Sequence, residues 1–482
     1  MSTDIGKSAS SAVMWSGLDR ILTQFLQFAI TIVVARMVSP ADYGIIAIIS
    51  VFTSLSQVFI DSGFSEALIQ NKSSHEKDFS TVFIFSSAVG IFIYILLFLS
   101  APLIEKFYDI QALSLYIRIV CVSILVNSLT VVYKAKVLIN LDFKTNAQIS
   151  LLSIIISGIV AILCAYNGLG IWALISQNIT NNIVIFVGLY LTIKWKPNIS
   201  FSRQSFQKLF SYGSKLLFAN VLNSIYLNLY SLCVGKIFSA NDLGLYNRAS
   251  SFAQFPSTNI SSIIDRAMFP IICKIQDNSG AYTAMFYKTL GFLTYLVFPL
   301  MLTMVFLGDT IVLTLLGPQW NDCIPLLRIL CIAYILTPIM RLMNNTINAK
   351  GRSDISLKAE YFKKTVSVIV LIATVPFGLK IMCYGLIVYE IFDFIIMFVA
   401  LKKVMPSINL SQIFSTISST IIANILLCIL FILLNLLGLS SLSKLFICSI
   451  LAILFYIVIS EILKIDEWNY LKNLAISKTR KL

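Results

Sequence analysis

Long apolar runs, separated by short polar connections rich in lysine and arginine, recur from one end of the chain to the other. Runs of about 20 apolar residues match the hydrocarbon thickness of a bilayer, where an α-helix satisfies its own backbone. The pattern predicts helices over Val13–Ala35, Gly44–Ser62, Phe79–Ala101, Ser114–Tyr133, Asn146–Tyr166 and Leu169–Ile193 in a first half. A second half runs Gly213–Gly235, Gly244–Ile264, Phe286–Leu307, Asp322–Leu342, Leu357–Phe377 and Lys380–Lys402, and a hairpin follows at Ser411–Leu436 and Ser440–Leu463. The expectation is an all-α integral membrane protein of about fourteen spans in groups of six, six and two. Residues 1–199 form a first six-helix bundle, 200–212 a linker, 213–405 a second bundle, 406–464 the hairpin and 465–482 a tail. In the linker, Phe201, Phe206, Leu209 and Phe210 alternate with Arg203 and Lys208, a pattern suited to lying along a membrane face.

Charge gives the runs a direction. Of the 482 residues, 58% are hydrophobic and 12% charged, with a formal net charge of +14. If the N-terminus is cytoplasmic, Lys and Arg favour the inner connections over the outer ones by roughly five to one. Lys134, Lys136 and Lys144 crowd one inner connection and Arg341, Lys350, Arg352 and Lys358 another, whereas Arg36, Lys106, Lys236, Lys380 and Lys444 stand on outer ones. Both termini are then expected inside, and the positive balance is a topology signal and not a nucleic-acid surface. The nine cysteines are scattered with no CxxC spacing and read as apolar fillers, and the single histidine, His75, sits in a charged loop. No metal or nucleotide motif stands out.

One stretch occurs twice. Arg36-Met-Val-Ser-Pro-Ala-Asp-Tyr-Gly44 follows the first span, and Lys236-Ile-Phe-Ser-Ala-Asn-Asp-Leu-Gly244 follows the seventh. In both, a base precedes two apolar residues, a serine, an aspartate and a glycine at the same spacing. Arg118 in Leu115-Tyr-Ile-Arg-Ile119 likewise matches Arg328 in Pro325-Leu-Leu-Arg-Ile329, each early in the fourth span of its half. These echoes predict an internal duplication. With an even number of spans per copy, the halves keep one orientation, and a site is expected between the bundles. The Pro-Ala-Asp-Tyr-Gly portion reads as an outer turn, with Asp42 capping the next helix just ahead of Gly44.

Here the chain resembles the polysaccharide transporter family of bacterial O-antigen and exopolysaccharide flippases, in the MATE-like MOP superfamily. The resemblance rests on Ala35–Gly44, on Phe59-Ile-Asp-Ser-Gly-Phe-Ser-Glu-Ala-Leu-Ile-Gln70, on Leu315-Leu-Gly-Pro-Gln-Trp-Asn321 leading into Pro325–Arg328, and on Asn348-Ala-Lys-Gly-Arg352. It covers most of the chain and is best in the first 140 residues. It implies a MATE-like parallel-repeat fold and transport of an undecaprenyl-pyrophosphate-linked oligosaccharide across the bacterial inner membrane. It also implies a pathway shared with glycosyltransferases and a polysaccharide polymerase.

A pyrophosphate and a hydrated sugar can cross hydrocarbon only through a wet cavity with fixed cations. Bases inside the predicted spans are therefore candidates: Arg20 in the first, Lys215 in the seventh, and Arg118, Arg248 and Arg328 in the outer parts of the fourth, eighth and tenth. Asp19 beside Arg20 would orient or neutralise it. Each base has a plainer reading as an interfacial anchor. On the twelfth span Glu390 and Asp393 lie one turn apart and share a face, a candidate site for a coupling H+ or Na+; the plainer reading is a buried pair satisfied by Tyr389, Lys363 or Lys364. No cofactor is expected.

Two other classes stay open on the residues alone. One is an exporter of another cargo, a peptidoglycan lipid precursor or a drug in cation-coupled exchange. The other is a membrane glycosyltransferase or polymerase, which would need catalytic carboxylates or a long outer loop. The outer connections are short, which disfavours an enzyme.

Overall fold

The computed structural model describes residues 22–70, 75–198, 200–436 and 441–479. Among them every regular element is helical. In the first compact unit, Met1–Gly244, these are α1 (Leu22–Ala35), α2 (Pro40–Asp61), α3 (Phe64–Gln70), α4 (Glu76–Tyr108), α5 (Leu113–Val120), α6 (Val122–Ile139), α7 (Phe143–Tyr166), α8 (Ile171–Ile193) and α9 (Arg203–Ile237). Helix α10 (Ala240–Lys274) opens in that unit and continues into the second, Leu245–Leu482. The second unit adds α11 (Ser279–Phe306), α12 (Gly308–Leu315), α13 (Cys323–Ala333), α14 (Thr337–Ala349), α15 (Ser353–Thr374), α16 (Leu379–Val404), α17 (Leu410–Asn435), α18 (Ser441–Ile462) and α19 (Asp466–Thr479).

Among the described residues, 11 helical segments are long and apolar enough to cross a membrane. Helix α1 is described only from Leu22 and is shorter than the rest. Helices α10 and α15 are long but carry many polar and charged residues, among them Arg248, Gln254, Asn259 and Asp265 on α10 and Lys358, Glu360, Lys363 and Lys364 on α15. Large apolar side chains such as Phe92, Leu99, Phe218, Phe362 and Ile453 stand exposed, as they do on helices whose outer faces meet lipid. The chain is a multi-pass membrane protein.

The repeated stretch is not a turn ending at Asp42. Helix α2 begins four residues before Gly44, with Pro40 in its first turn, where the missing N–H costs nothing. Its cap is Ser39, whose Oγ accepts from the Asp42 N–H at 3.2 Å and donates to Asp42 Oδ2 at 2.8 Å. The second copy repeats this: Ser239 Oγ accepts from Asp242 N–H at 3.0 Å and donates to Asp242 Oδ2 at 2.8 Å. The serine sits one place before the helix, where a short side chain reaches the orphan amides; the aspartate is already inside it and fixes the serine.

The two copies also touch. A Cβ placed on Gly44 would lie 1.7 Å from the Ala240 carbonyl oxygen, and one on Gly244 would lie 1.8 Å from that of Pro40. The first turns of α2 and α10 therefore cross backbone against backbone. Each glycine is required by the other copy's main chain.

The fourth predicted span is two helices, α5 and α6, parted at Cys121, and the tenth is likewise two, α13 and α14, parted at Tyr334–Leu336 just ahead of Pro338. Proline has no N–H to give to Tyr334 and crowds its carbonyl, which accounts for the second break. The stretch expected as a linker is the start of α9: Leu209 is buried, and Phe206 lies 5.1 Å from Phe85 and 5.2 Å from Phe210, ring centre to ring centre. In the second unit, one core joins α11, α14 and α16 around Phe286, Leu290, Met343 and Met397. Another holds the α17–α18 hairpin to α11, where Tyr295 donates to Ser460 Oγ at 3.1 Å and Tyr456 donates to the Tyr295 carbonyl at 3.1 Å.

Candidate functional site

Of the residues singled out in the sequence, Asp19 and Arg20 lie outside the described residues, as does the side chain of Lys215, whose backbone belongs to α9. The remaining bases have definite surroundings. Arg118, on α5, donates from Nε to the Phe98 carbonyl at 3.3 Å, and its guanidinium lies 4.4 Å from the centre of the Phe98 ring. Arg328, on α13, donates from Nε to the Val305 carbonyl at 3.0 Å and lies 3.6 Å from Asp309 Oδ1. Lys444 approaches the other oxygen of Asp309 at 3.5 Å. The Arg248 guanidinium, on α10, lies 5.6 Å from the centre of the Trp320 ring.

The densest polar constellation is in the second unit, between α15 and α16. Glu390 and Asp393 are 6% and 5% exposed. Lys363 enters from α15 and lies 3.2 Å from Asp393 Oδ1 and 3.1 Å from Glu360 Oε1. Its approach to Asp393 is at ion-pair distance but off the hydrogen-bond axis. Thr337, in the first turn of α14, makes a long hydrogen bond of 3.4 Å to Glu390 Oε2. Tyr334, at the α13–α14 break, lies within electrostatic reach of Glu390 and pairs with Ser250 Oγ at 3.2 Å. Gln254 donates to the same Ser250 oxygen at 2.8 Å. Four helical segments thus converge on three carboxylates and one ammonium. In a low-dielectric surrounding, that excess of negative charge suits uptake of a small cation.

Two acids near helix ends have partners from far along the chain. Asp265, near the end of α10, is bound by Arg341 Nε of α14 at 2.5 Å. Asp61, at the end of α2, accepts from Gln57 at 3.4 Å and lies within electrostatic reach of Lys134 of α6. In each unit a carboxylate near the end of one helix, Asp61 of α2 or Asp265 of α10, faces a base on another, Lys134 of α6 or Arg341 of α14.

The sequence pointed to Glu390 and Asp393 and to Lys363 as their neighbour. It did not single out Thr337, Tyr334 or the pairing of Asp265 with Arg341. Proline at 338 was a signal for the break that brings Thr337 and Tyr334 inward. No sequence signal joins residues 76 positions apart across two helices.

Comparison with known proteins follows the same line. A family described as polysaccharide biosynthesis protein matches residues 33–325. The teichuronic acid biosynthesis protein TuaB of Bacillus subtilis is 25% identical over 355 residues, 73% of this chain and 73% of that protein. The lipopolysaccharide biosynthesis protein WzxC of Escherichia coli is 25% identical over 359 residues, 73% of this chain and 72% of its own. Among solved structures, the lipid II flippase MurJ in an inward closed conformation superposes with a TM-score of 0.71 at 17% identity, covering 94% of this chain and 99% of that one. That likeness shows the fold.

Proposed function

Because the chain belongs to the polysaccharide biosynthesis protein family, matched over residues 33–325, we propose that it is a flippase for a lipid-linked oligosaccharide. It moves an undecaprenyl-pyrophosphate-linked repeat unit from the cytoplasmic to the outer leaflet of the bacterial inner membrane, for O-antigen, capsule or exopolysaccharide assembly. It is a transporter, not an enzyme. The observation that carries the reading is the family match on a chain of many apolar helices. The teichuronic acid and lipopolysaccharide relatives and the lipid II flippase fold agree with it.

In this proposal the chain has fourteen spans: the 11 apolar ones together with α1, α10 and α15. The last two fall short of ordinary span hydropathy because they carry the polar lining. Two six-span bundles stand in parallel repeat, with both termini cytoplasmic, and work by alternating access through a cationic cavity. Arg20, Lys215 and Arg248 are the bases assigned to the pyrophosphate. Arg118 and Arg328 are assigned to the same cavity, and each also binds a carbonyl of a neighbouring helix. Asp19 orients Arg20. Glu390 and Asp393 take the coupling ion, H+ or Na+. Glycosyltransferases and a polymerase supply the cargo and consume it.

The test is deletion of the gene in its own host. Surface glycan should fall and undecaprenyl-pyrophosphate-linked units should accumulate, and the intact chain should restore both. Unchanged surface glycan with no accumulation of lipid-linked sugar overturns the reading.

A further inference from the structure

Helices α15 and α16 also enclose a groove of about 520 Å³. One end is basic, with Arg352, Lys358 and Lys403, and the rest is apolar, with Phe362, Ile395 and Val399. The bases sit where α15 begins and α16 ends. The three apolar side chains lie one to three turns further along, and are 67%, 50% and 50% exposed. A single groove thus has a cationic head and an apolar body whose side chains stand exposed.

The three bases are not equivalent. Arg352 donates from Nε and Nη2 to the two oxygens of Asp354 at 2.9 and 3.1 Å. That hydrogen-bonded guanidinium holds the Asp354 carboxyl below the usual carboxylate range, so the pair stays ionised and closed on itself. Among the described residues, Lys358 and Lys403 have no carboxylate at ion-pair distance, although both are exposed at the groove's head. They come from opposite helices, so an anion seated between them meets two ammonium groups.

We propose that this groove binds an anionic phospholipid of the surrounding membrane, its phosphate between Lys358 and Lys403 and an acyl chain along Phe362, Ile395 and Val399. Charge complementarity selects the anionic headgroup, and the exposure of Phe362, Ile395 and Val399 selects a lipid of the surrounding bilayer. Basic pockets between membrane helices select anionic lipids at about 1 kcal/mol per base near the surface. Assigning the cytoplasmic leaflet rests on the proposed orientation; the choice of lipid class does not.

The experiment uses the purified full chain in nanodiscs containing phosphatidylglycerol or phosphatidylethanolamine with a photoreactive acyl chain, and maps adducts by mass spectrometry. Adducts should fall within residues 352–403 and favour phosphatidylglycerol by roughly thirtyfold, the effect expected of two bases. Lys358→Ala with Lys403→Ala should abolish the preference, and Lys358→Arg with Lys403→Arg should keep it, which separates charge from misfolding. Equal labelling by both lipids, or a preference untouched by the alanine pair, overturns the proposal. Displacement by undecaprenyl phosphate at a concentration where added phosphatidylglycerol does not compete also overturns it, by making the carrier lipid the occupant. No oligosaccharide is present, so a failure here leaves the flippase reading standing.

Discussion

Helices α7 and α8 pack as a pair in the first unit, and α15 and α16 pack as a pair in the second. The first pair is neutral. Helix α8 has no charged residue, and α7 has only Lys144, in its first turn. Their polarity is carried by amides and hydroxyls that bond locally, as Asn182 does to the Asn178 carbonyl at 2.8 Å. The second pair buries Glu390 and Asp393 and reaches Asp393 with Lys363. Neutral amides in a membrane helix cost little to satisfy, whereas buried charges are expensive and hold only in mutual contact. Both pairs are packed, and ionisable chemistry lies in only one of them. That asymmetry is the reason for assigning ion coupling to the second half.

The comparison breaks first at Lys363. Lys363→Met leaves Asp393 and Glu390 without the ammonium and should cost about 3 kcal/mol or more, the usual result of removing one partner of a buried pair. The loss should appear as a lower unfolding temperature in detergent. Lys363→Met combined with Asp393→Leu should recover most of it. In the neutral pair, Asn178→Leu or Asn182→Leu should cost about 0.6 kcal/mol. Equal losses in the two pairs would mean that the cluster is not a distinct buried charge site.

A second effect tests what the halves share. Gly44→Ala and Gly244→Ala each push a methyl group into a carbonyl of the opposite copy, and backbone cannot step aside as a side chain can. Each should cost about 2 kcal/mol, within the usual range for overpacking, and the two costs should be similar. Folded yield by size-exclusion chromatography and thermal unfolding would read this. One glycine tolerated and the other not would show that the crossing is not reciprocal.

How far the sequence reached follows from the same residues. The helical segments were legible because apolar length and the bias of lysine and arginine report on each helix separately. Ser39 and Asp42 were both visible, but which of them caps the helix depends on where its first turn starts, and Pro40 was the clue. The break at Cys121 has no marker, whereas Pro338 marks the one between α13 and α14. Glu390 and Asp393 stood out as acids in an apolar run, and Lys363 as a base nearby. The Gly44–Ala240 crossing and the Asp265–Arg341 pair were not legible, since both depend on how helices far apart in sequence are rotated against one another. Asp19, Arg20 and the Lys215 side chain lie outside the described residues, and their assignment rests on sequence.

Glu390 separates coupling from architecture. It is bound through a long contact with Thr337 and has no base at ion-pair distance among the described residues. Glu390→Gln keeps the shape and the acceptor, so stability should change by less than about 1 kcal/mol. Transport by the reconstituted variant should then lose its response to an imposed proton or sodium gradient. A Glu390→Gln protein that stays fully gradient-sensitive would remove coupling from this residue.

The smallest effect concerns Arg118 of α5 and Arg328 of α13. Arg118 and Arg328 each donate from Nε to a carbonyl of the preceding long helix, Phe98 of α4 and Val305 of α11. They differ in what else they touch: an aromatic ring for Arg118, and Asp309, itself shared with Lys444, for Arg328. Both are partly exposed, and exposed ion pairs contribute about 0–1 kcal/mol. Arg118→Lys and Arg328→Lys should therefore each shift stability by less than about 1 kcal/mol, and raising salt should narrow the gap between Arg328 and its lysine variant more than that for Arg118. If Arg118→Lys abolishes glycan export while Arg328→Lys does not, at matched protein levels, Arg118 belongs to the transport path and not to the helix anchor that the two halves share.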